Sequence, residues 1–530
     1  MLISHHRRVV SLNSRDSAVC KKASVTKAHT LPCTCSQFVF ATVFFLIAAS
    51  FATLSSPARS ANSGEGLPFK SCELKDPSSG QSAQATCSLL DVLENPDDPD
   101  SPTLQLHVAR MEATGRRPEA DPLLFITGGP GQAASESWAA IHRAFRKVGK
   151  KRDVYILDQR GTGLSNKLTC PAPEEEQDVY TFDAEATAEL ARDCLESFDA
   201  DTRYYTTSIA VKDLEKLRDV LGIAQWNIYG VSYGTRVALH YLRRYPEHVR
   251  TMILDAAVPP GTALGPGIAV EAEKSLRQMF ERCKTDEACN TAYPGLEDGT
   301  RRMLEELDEN PVDIEFENFN VGTVESTRMT ANHITLTMRM LSYSSHGVAI
   351  LPFMLHEAYA NKNFAPFARQ AAIQSNSLGE SIATGMHNSI ICTEDEPFSS
   401  KFGIDAAMLQ DTYLGDTALK ALEASCKHWP VGVIDDDFHV PLQSDAQVMI
   451  LSGGADPVTP PSYGDRVADT LPNALHIVNP FQGHVQVALG CMPTVVSNFI
   501  VRGDTANVDF GCLERLRAEP FFVDANGPKP

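Results

Sequence analysis

Apolar and polar positions follow two rhythms along this chain. Short apolar runs recur through the first half: Pro122-Leu123-Leu124-Phe125-Ile126, Asp153-Val154-Tyr155-Ile156-Leu157, Trp226-Asn227-Ile228-Tyr229 and Thr251-Met252-Ile253-Leu254-Asp255. Such runs read as strands buried on both faces. Leu104-Gln105-Leu106-His107-Val108 alternates, as a half-buried strand does. Helical spacing runs over residues 138–148, 211–221 and 235–242. Strands alternating with helices predict a mostly parallel sheet flanked by helices on both faces. From 266 to 435 helical spacing dominates, at 270–284, 301–309, 331–341 and 351–360, with a strand pair at 312–328. That stretch reads as a mainly helical insertion. The sheet resumes at Gln447-Val448-Met449-Ile450-Leu451 and Leu475-His476-Ile477-Val478. Residues 62–103, rich in Ser, Pro, Asp and Gly, read as a loosely structured lead-in.

The apolar run at 38–54 (FVFATVFFLIAASFATL) differs in kind. It carries no charge, follows Lys21, Lys22 and Lys27, and gives way to Ser55-Ser56-Pro57-Ala58. Basic flank, apolar centre and small-residue exit predict an export signal, cleaved near Ala58 or Ala61. The long basic segment before it leaves two alternatives open, a start further downstream or an uncleaved membrane anchor. No later stretch is apolar enough to span a bilayer. The chain is thus expected outside the cytoplasm, secreted or periplasmic, and on a membrane only if the run stays attached.

Charge and cysteines extend this picture. Net charge is -20, and beyond residue 60 the balance is 40 basic to 66 acidic groups. An acidic body of this kind excludes nucleic acid as a principal partner. Ten cysteines follow the apolar run: Cys72, Cys87, Cys170, Cys194, Cys283, Cys289, Cys392, Cys426, Cys491 and Cys512. In an exported chain an even number reads as disulfides, here five short-range pairs in sequence order, with buried free thiols as the alternative. There is no Cys-x-x-Cys, so no zinc site is expected, and neither a metal nor a cofactor is required.

Candidate chemistry sits at the carboxyl ends of the predicted strands. Gly230-Val231-Ser232-Tyr233-Gly234 lies between an apolar strand and a helix, a turn that resembles the nucleophile turn of the α/β hydrolases. A serine hydroxyl needs an imidazole to take its proton and a carboxylate to hold that imidazole in one tautomer. In that fold the order along the chain is Ser, Asp or Glu, then His. Asp456 follows one strand in Ser452-Gly453-Gly454-Ala455-Asp456-Pro457, and His484 follows the next in Gln482-Gly483-His484. The oxyanion donors are expected from the backbone N–H groups of Tyr233 and of Gly129, in Gly128-Gly129-Pro130-Gly131. That loop lacks the lysine and spacing of a nucleotide cradle. Asp158 and Arg160 are expected to brace the loops without entering the chemistry.

Gly-Gly-Pro-Gly, then Asp158-Gln159-Arg160-Gly161-Thr162-Gly163-Leu164-Ser165, then Gly-Val-Ser-Tyr-Gly-Thr-Arg resembles the proline iminopeptidase branch of the α/β hydrolases. The similarity to its secreted, tripeptidyl-aminopeptidase-like members is stronger, and it covers roughly 100–515. Proline iminopeptidases commonly carry His before the glycines; Thr127 stands there, which argues against strict prolyl preference. The resemblance implies an α/β-hydrolase core with an inserted helical cap: leader 1–61, core 62–265, cap 266–435, core 436–530. It also implies an aminopeptidase that releases one to three residues from peptides with a free N-terminus. Recognition of that cationic amine calls for cap carboxylates, and Glu394 and Asp395, in Cys392-Thr393-Glu394-Asp395-Glu396-Pro397, are the candidates. Pairing of Cys392 with Cys426 would fix that loop. The rival readings are an exported carboxylesterase using the same triad and a catalytically silent binding protein, which would be expected to lack one of the three.

Overall fold

Strands β5 (Leu123–Ile126), β6 (Val154–Leu157), β7 (Trp226–Val231), β8 (Val249–Asp255), β11 (Val448–Gly453) and β12 (Ala474–Asn479) run parallel through the middle of one sheet. Strands β2 (Lys70–Lys75), β3 (Ser82–Leu93) and β4 (Thr103–Met111) extend it antiparallel beyond β6, and β1 (Val9–Ser11) lies at the opposite edge. The order is β1-β12-β11-β8-β7-β5-β6-β4-β3-β2. The structure, a computed structural model, describes residues 9–11, 66–171, 182–265, 267–318, 322–403 and 406–529. The apolar run at 38–54, read as an export signal, lies outside the described residues.

The central strands are buried along their whole length, which is why they read as unbroken apolar runs. Alternate side chains feed two cores. Leu124, Ile126, Ile228, Leu254 and Ile450 pack on one face with Val237 and Leu242. Phe125, Tyr229, Ile253, Met449 and Leu451 pack on the other with Trp138, Phe145 and Phe499. At about 25 cal/mol per Å² of apolar surface removed from water, these layers are the main force holding the sheet. They leave the carboxyl ends of the strands as a rigid platform for loops.

The segment 62–103 corrects the sequence reading. It holds β2 and β3, joined by the Cys72–Cys87 disulfide. Over the second half of β3 burial alternates, with Ser88, Leu90 and Val92 buried and Leu89 and Asp91 exposed. A half-buried strand needs an apolar residue only at every second place. The exposed Ser82, Gln84 and Asp91 made the composition look unstructured. The expected helix at 138–148 is instead Ala134–Ile141 followed by short 3-10 turns at His142–Phe145 and Val148–Lys150.

Between β8 and β11 the chain builds the insertion. Helices Ile268–Thr285, Leu296–Glu309, Ala331–Leu341 and Ser345–Asn361 lie where helical spacing placed them, and β9 (Val312–Asn318) pairs antiparallel with β10 (Thr323–Met329). Leu276, Met279, Met338, Leu355 and Phe367 form its own core. Helices Ala365–Ser381, Thr384–Glu394 and Thr417–Cys426 were not foreseen. The ten cysteines pair in sequence order: 72–87, 170–194, 283–289, 392–426 and 491–512. Among the described residues no helix is long and apolar enough to cross a membrane.

Candidate active site

Ser232 stands between β7 and helix Tyr233–Arg244 with φ 55° and ψ -127°. That conformation is strained for a residue with a side chain, and it turns the side chain out at the tip. Its neighbours must be glycine for steric reasons. A Cβ on Gly230 would lie 2.6 Å from Gly234 O, and one on Gly234 would lie 2.3 Å from Thr127 O. Gly128 passes as close: a Cβ there would lie 2.9 Å from Ser232 Cβ. The glycine loop therefore runs directly beside the serine. Tyr233 opens the helix, where N–H groups have no partner within the helix. Gly129 takes φ 106°, which presents the loop backbone without side-chain obstruction.

Asp456 and His484 are brought together. His484 Nδ1 lies 2.8 Å from Asp456 Oδ2. The carboxylate is fixed in turn by Val458 N–H and Thr459 N–H on Oδ1, both at 2.9 Å, and by the Thr459 hydroxyl on Oδ2 at 2.8 Å. Since Nδ1 faces a carboxylate, it carries the proton, and Nε2 is the basic nitrogen. Burial opposes the charged imidazole, but Asp456 outweighs it, and the His484 pKa lies above its ordinary value.

Ser232 and His484 share no direct hydrogen bond in this structure, as is common before substrate binds. Asp255 ties them instead. Its backbone carbonyl accepts the Ser232 N–H at 2.9 Å. Its carboxylate accepts the N–H groups of Gln486 at 2.7 Å and Val487 at 2.8 Å, and the Tyr229 hydroxyl at 2.8 Å. One fully buried residue thus sets both the nucleophile turn and the loop that follows the histidine. Burial raises its pKa to about 6 against the pull of those donors. The sequence hinted at Asp255 only as an acid ending an apolar strand.

The insertion also reaches His484. Tyr343 O accepts the His484 N–H at 2.8 Å, and the two rings meet edge to face at 5.2 Å. Asp158 and Arg160 sit in loops nearby and are fully buried. Asp158 accepts Ser135 N–H at 2.8 Å and the Ser135 hydroxyl at 2.9 Å; Arg160 clamps Asp213 with two bonds of 2.7 Å.

Glu394 and Asp395 are not solvated: helix Thr384–Glu394 ends on the first, the second caps it in the turn that follows, and both have 0% exposure. Glu394 accepts Thr207 N–H at 2.6 Å and the Thr207 hydroxyl at 2.9 Å, and that hydroxyl lies 2.7 Å from Tyr233 Oη. Asp395 takes Arg236 at 2.8 and 3.1 Å and Leu264 N–H at 2.7 Å. Arg236 also lies 3.5 Å from Glu394. Two carboxylates share one guanidinium. Burial pushes Glu394 up to about 7 although Arg236 pulls it down, so the cluster holds either surplus negative charge or a proton. Among the described residues no group of His, Cys, Asp or Glu is arranged to hold a metal.

Residues 121–282 match the α/β hydrolase fold family and residues 411–512 match the TAP-like protein family. Serine protease Hip1 of Mycobacterium tuberculosis is 23% identical over 484 residues, spanning 83% of this chain and 90% of that protein. A tripeptidyl aminopeptidase of Streptomyces lividans is 32% identical over 180 residues, which span 30% of this chain and 32% of that protein. A proline iminopeptidase of Neisseria gonorrhoeae is 29% identical over 152 residues, 28% of this chain and 36% of that protein.

Proposed function

We propose that this chain, which matches the α/β hydrolase fold over residues 121–282 and a TAP-like protein family over residues 411–512, is a serine hydrolase that acts as an exported aminopeptidase. It releases one to three residues from the free N-terminus of peptides. Ser232 attacks the carbonyl next to the scissile bond, and His484 Nε2 takes its proton. Asp456 holds the imidazole and stabilises the imidazolium. Backbone N–H groups of Gly129 and Tyr233 receive the oxyanion, where fixed donors act most strongly. His484 then gives its proton to the leaving amine. Water, deprotonated by the same nitrogen, releases the acyl group from Ser232. Five disulfides fit an extracytoplasmic setting.

The observation that carries the N-terminal preference is the cluster of Glu394 and Asp395 on one arginine beside Tyr233. Asp395 is bonded directly to Arg236 and to Leu264 N–H, whereas Glu394 is bonded only by the neutral donors of Thr207, so Glu394 is the carboxylate we assign to an ammonium. An incoming α-amine supplies a second cation to two carboxylates that share one guanidinium. The relatives named serine protease and tripeptidyl aminopeptidase support a peptide substrate. The test compares mono-, di- and tripeptide amides of one fluorophore, with a free and with an acetylated N-terminus. Ser232→Ala is the control. Cleavage of the free peptides alone is expected, and the fastest length names the unit released. Equal cleavage of both sets, or turnover of simple esters alone, would leave a carboxylesterase.

A further inference from the structure

Helix Ala331–Leu341 ends against the catalytic base, and its last turn carries Arg339. The chain then bends through Ser342 to Tyr343, whose carbonyl holds the His484 N–H and whose ring faces the imidazole. The fit is tight, since a Cβ on Gly483 would lie 2.3 Å from Tyr343 O. Arg339 stands against the same tyrosine. Its Nη2 donates to Tyr343 Oη at 2.9 Å, and the guanidinium carbon lies 5.6 Å from the ring centroid.

What Arg339 lacks is a counter-charge. Among the described residues, no carboxylate lies within ion-pair distance of it, and besides Tyr343 its side-chain hydrogen-bond partner is Met340 Sδ at 3.8 Å. Its Nε is buried with no acceptor. The buried Tyr413 hydroxyl, within electrostatic reach of Arg339 and Tyr343, also has no partner. Elsewhere in this acidic chain, Arg110, Arg152, Arg160, Arg218 and Arg236 each hold a carboxylate. A half-buried guanidinium without one leaves a strong donor set unmet, and bidentate carboxylate is its natural acceptor.

The direction of the reaction says which carboxylate. The acyl half of the substrate stays on Ser232. The leaving half takes its proton from His484 and so departs on the imidazole side, where Arg339 stands. An unpaired guanidinium there also opposes the imidazolium formed during acylation, and a bound carboxylate cancels that opposition. We infer that Arg339 receives the terminal carboxylate of the departing segment, so that the preferred substrates are short peptides free at both ends rather than the N-termini of long chains. This rests on the aminopeptidase reading of the same site. A charge-assisted contact of this type corresponds to a preference of roughly tenfold to a hundredfold.

The test uses matched short peptides as C-terminal acid or C-terminal amide, each with a free or an acetylated N-terminus. Wild type, Arg339→Met and Arg339→Lys are compared by chromatographic kcat/KM. The readout is the acid-to-amide ratio, which a general loss of folding or rate does not move. The ratio is expected at about ten to a hundred in wild type, near one in Arg339→Met, and in between in Arg339→Lys. A wild-type ratio near one overturns the inference, and so does a preference that survives in Arg339→Met. The acetylated arm reports separately on the N-terminal reading. Acetylated acids cleaved as fast as free ones, with the ratio intact, overturn that reading and leave Arg339 in place. No cleavage of any peptide overturns both.

Discussion

The imidazole of His476 lies 2.8 Å from the hydroxyl of Ser452, with Asp465 at 3.0 Å on its other nitrogen. This is a second Ser-His-Asp alignment, on β11, β12 and the helix Pro461–Ala468 between them, close to Asp456 in the chain. Its environment differs from that of the Ser232 site. Ser452 has 0% exposure and His476 1%. The serine lies within a strand, with no strained turn to expose it, and burial lowers the His476 pKa although Asp465 raises it. A fluorophosphonate probe is therefore expected to label Ser232 and spare Ser452. Ser452→Ala should keep peptidase activity and lose about 1–3 kcal/mol of stability, because His476 Nε2 is left buried without its partner. Tandem mass spectrometry of the labelled peptide and a urea melt decide it; label on Ser452 would sink the assignment of Ser232.

In the proposed mechanism, attack by Ser232 needs neutral His484. Because Asp456 holds the imidazole pKa above its ordinary value of about 6.5, kcat/KM should rise with pH through an apparent pKa above that value. Asp456→Asn removes the charge that raises it, so the acid limb should move to lower pH. The same change lets Nδ1 lose its proton to Nε2, and kcat should fall by about 10⁴. A pH-rate profile of both proteins reads the two effects separately. An acid limb that stays in place in the variant would show that another group sets it.

Much of this was legible because function and fold share their signals here. Strands buried on both faces must be apolar, and the turns after them must be glycine-rich where loops approach the nucleophile. Asp456 and His484 follow such strands, so order alone pointed to the pair that lies 2.8 Å apart. The lead-in at 62–103 was misread because β3 is only partly buried and carries Ser82, Gln84 and Asp91 at exposed positions. Glu394 and Asp395 were singled out by charge, but charge does not report burial; Arg236, far off in sequence, is what lets both sit at 0% exposure. Arg339 and Tyr343 left no trace, because an arginine in a helix looks the same whether solvent or a substrate faces it.

Asp255 binds more protons in the folded chain than in the unfolded one. Its pKa is raised to about 6 from an ordinary value of about 3.9, so the folded state loses stability as pH climbs through that interval. Asp255→Asn should flatten this part of the stability profile relative to wild type. It also replaces an acceptor by an amide that cannot serve both Gln486 and Val487 N–H groups, at about 1–3 kcal/mol. The His484 loop should then loosen, and kcat should fall more than KM rises. Thermal melts between pH 4 and pH 7, paired with steady-state kinetics, test both halves. A variant with the wild-type pH slope would show that Asp255 stays ionised throughout.

In the proposed function, Glu394 is where fold stability and substrate choice meet. Its helix is pinned by Cys392–Cys426, which closes a loop with a sequence separation of 34. Removing a native disulfide costs about 2–5 kcal/mol. Cys392→Ser with Cys426→Ser should therefore lower the melting temperature and also raise KM for peptides with a free amine, since Glu394 lies two residues on. Glu394→Gln should raise that KM by a larger factor, about tenfold to a hundredfold for a lost charge-assisted contact. It should leave acylation of Ser232 by a small ester far less affected, since an ester presents no ammonium. Stability has its own direction here. With a folded pKa of about 7, Glu394 carries a proton that the unfolded side chain gives up near its ordinary value of about 4.3, so its burial destabilises the fold as pH rises from 4 to 7. Glu394→Gln should be relatively more stable than wild type at the upper end of that window. Kinetics on one amine-free ester and one free peptide, alongside melts at both pH limits, separate the two roles. Equal losses on ester and peptide would remove Glu394 from amine recognition and leave it a structural acid.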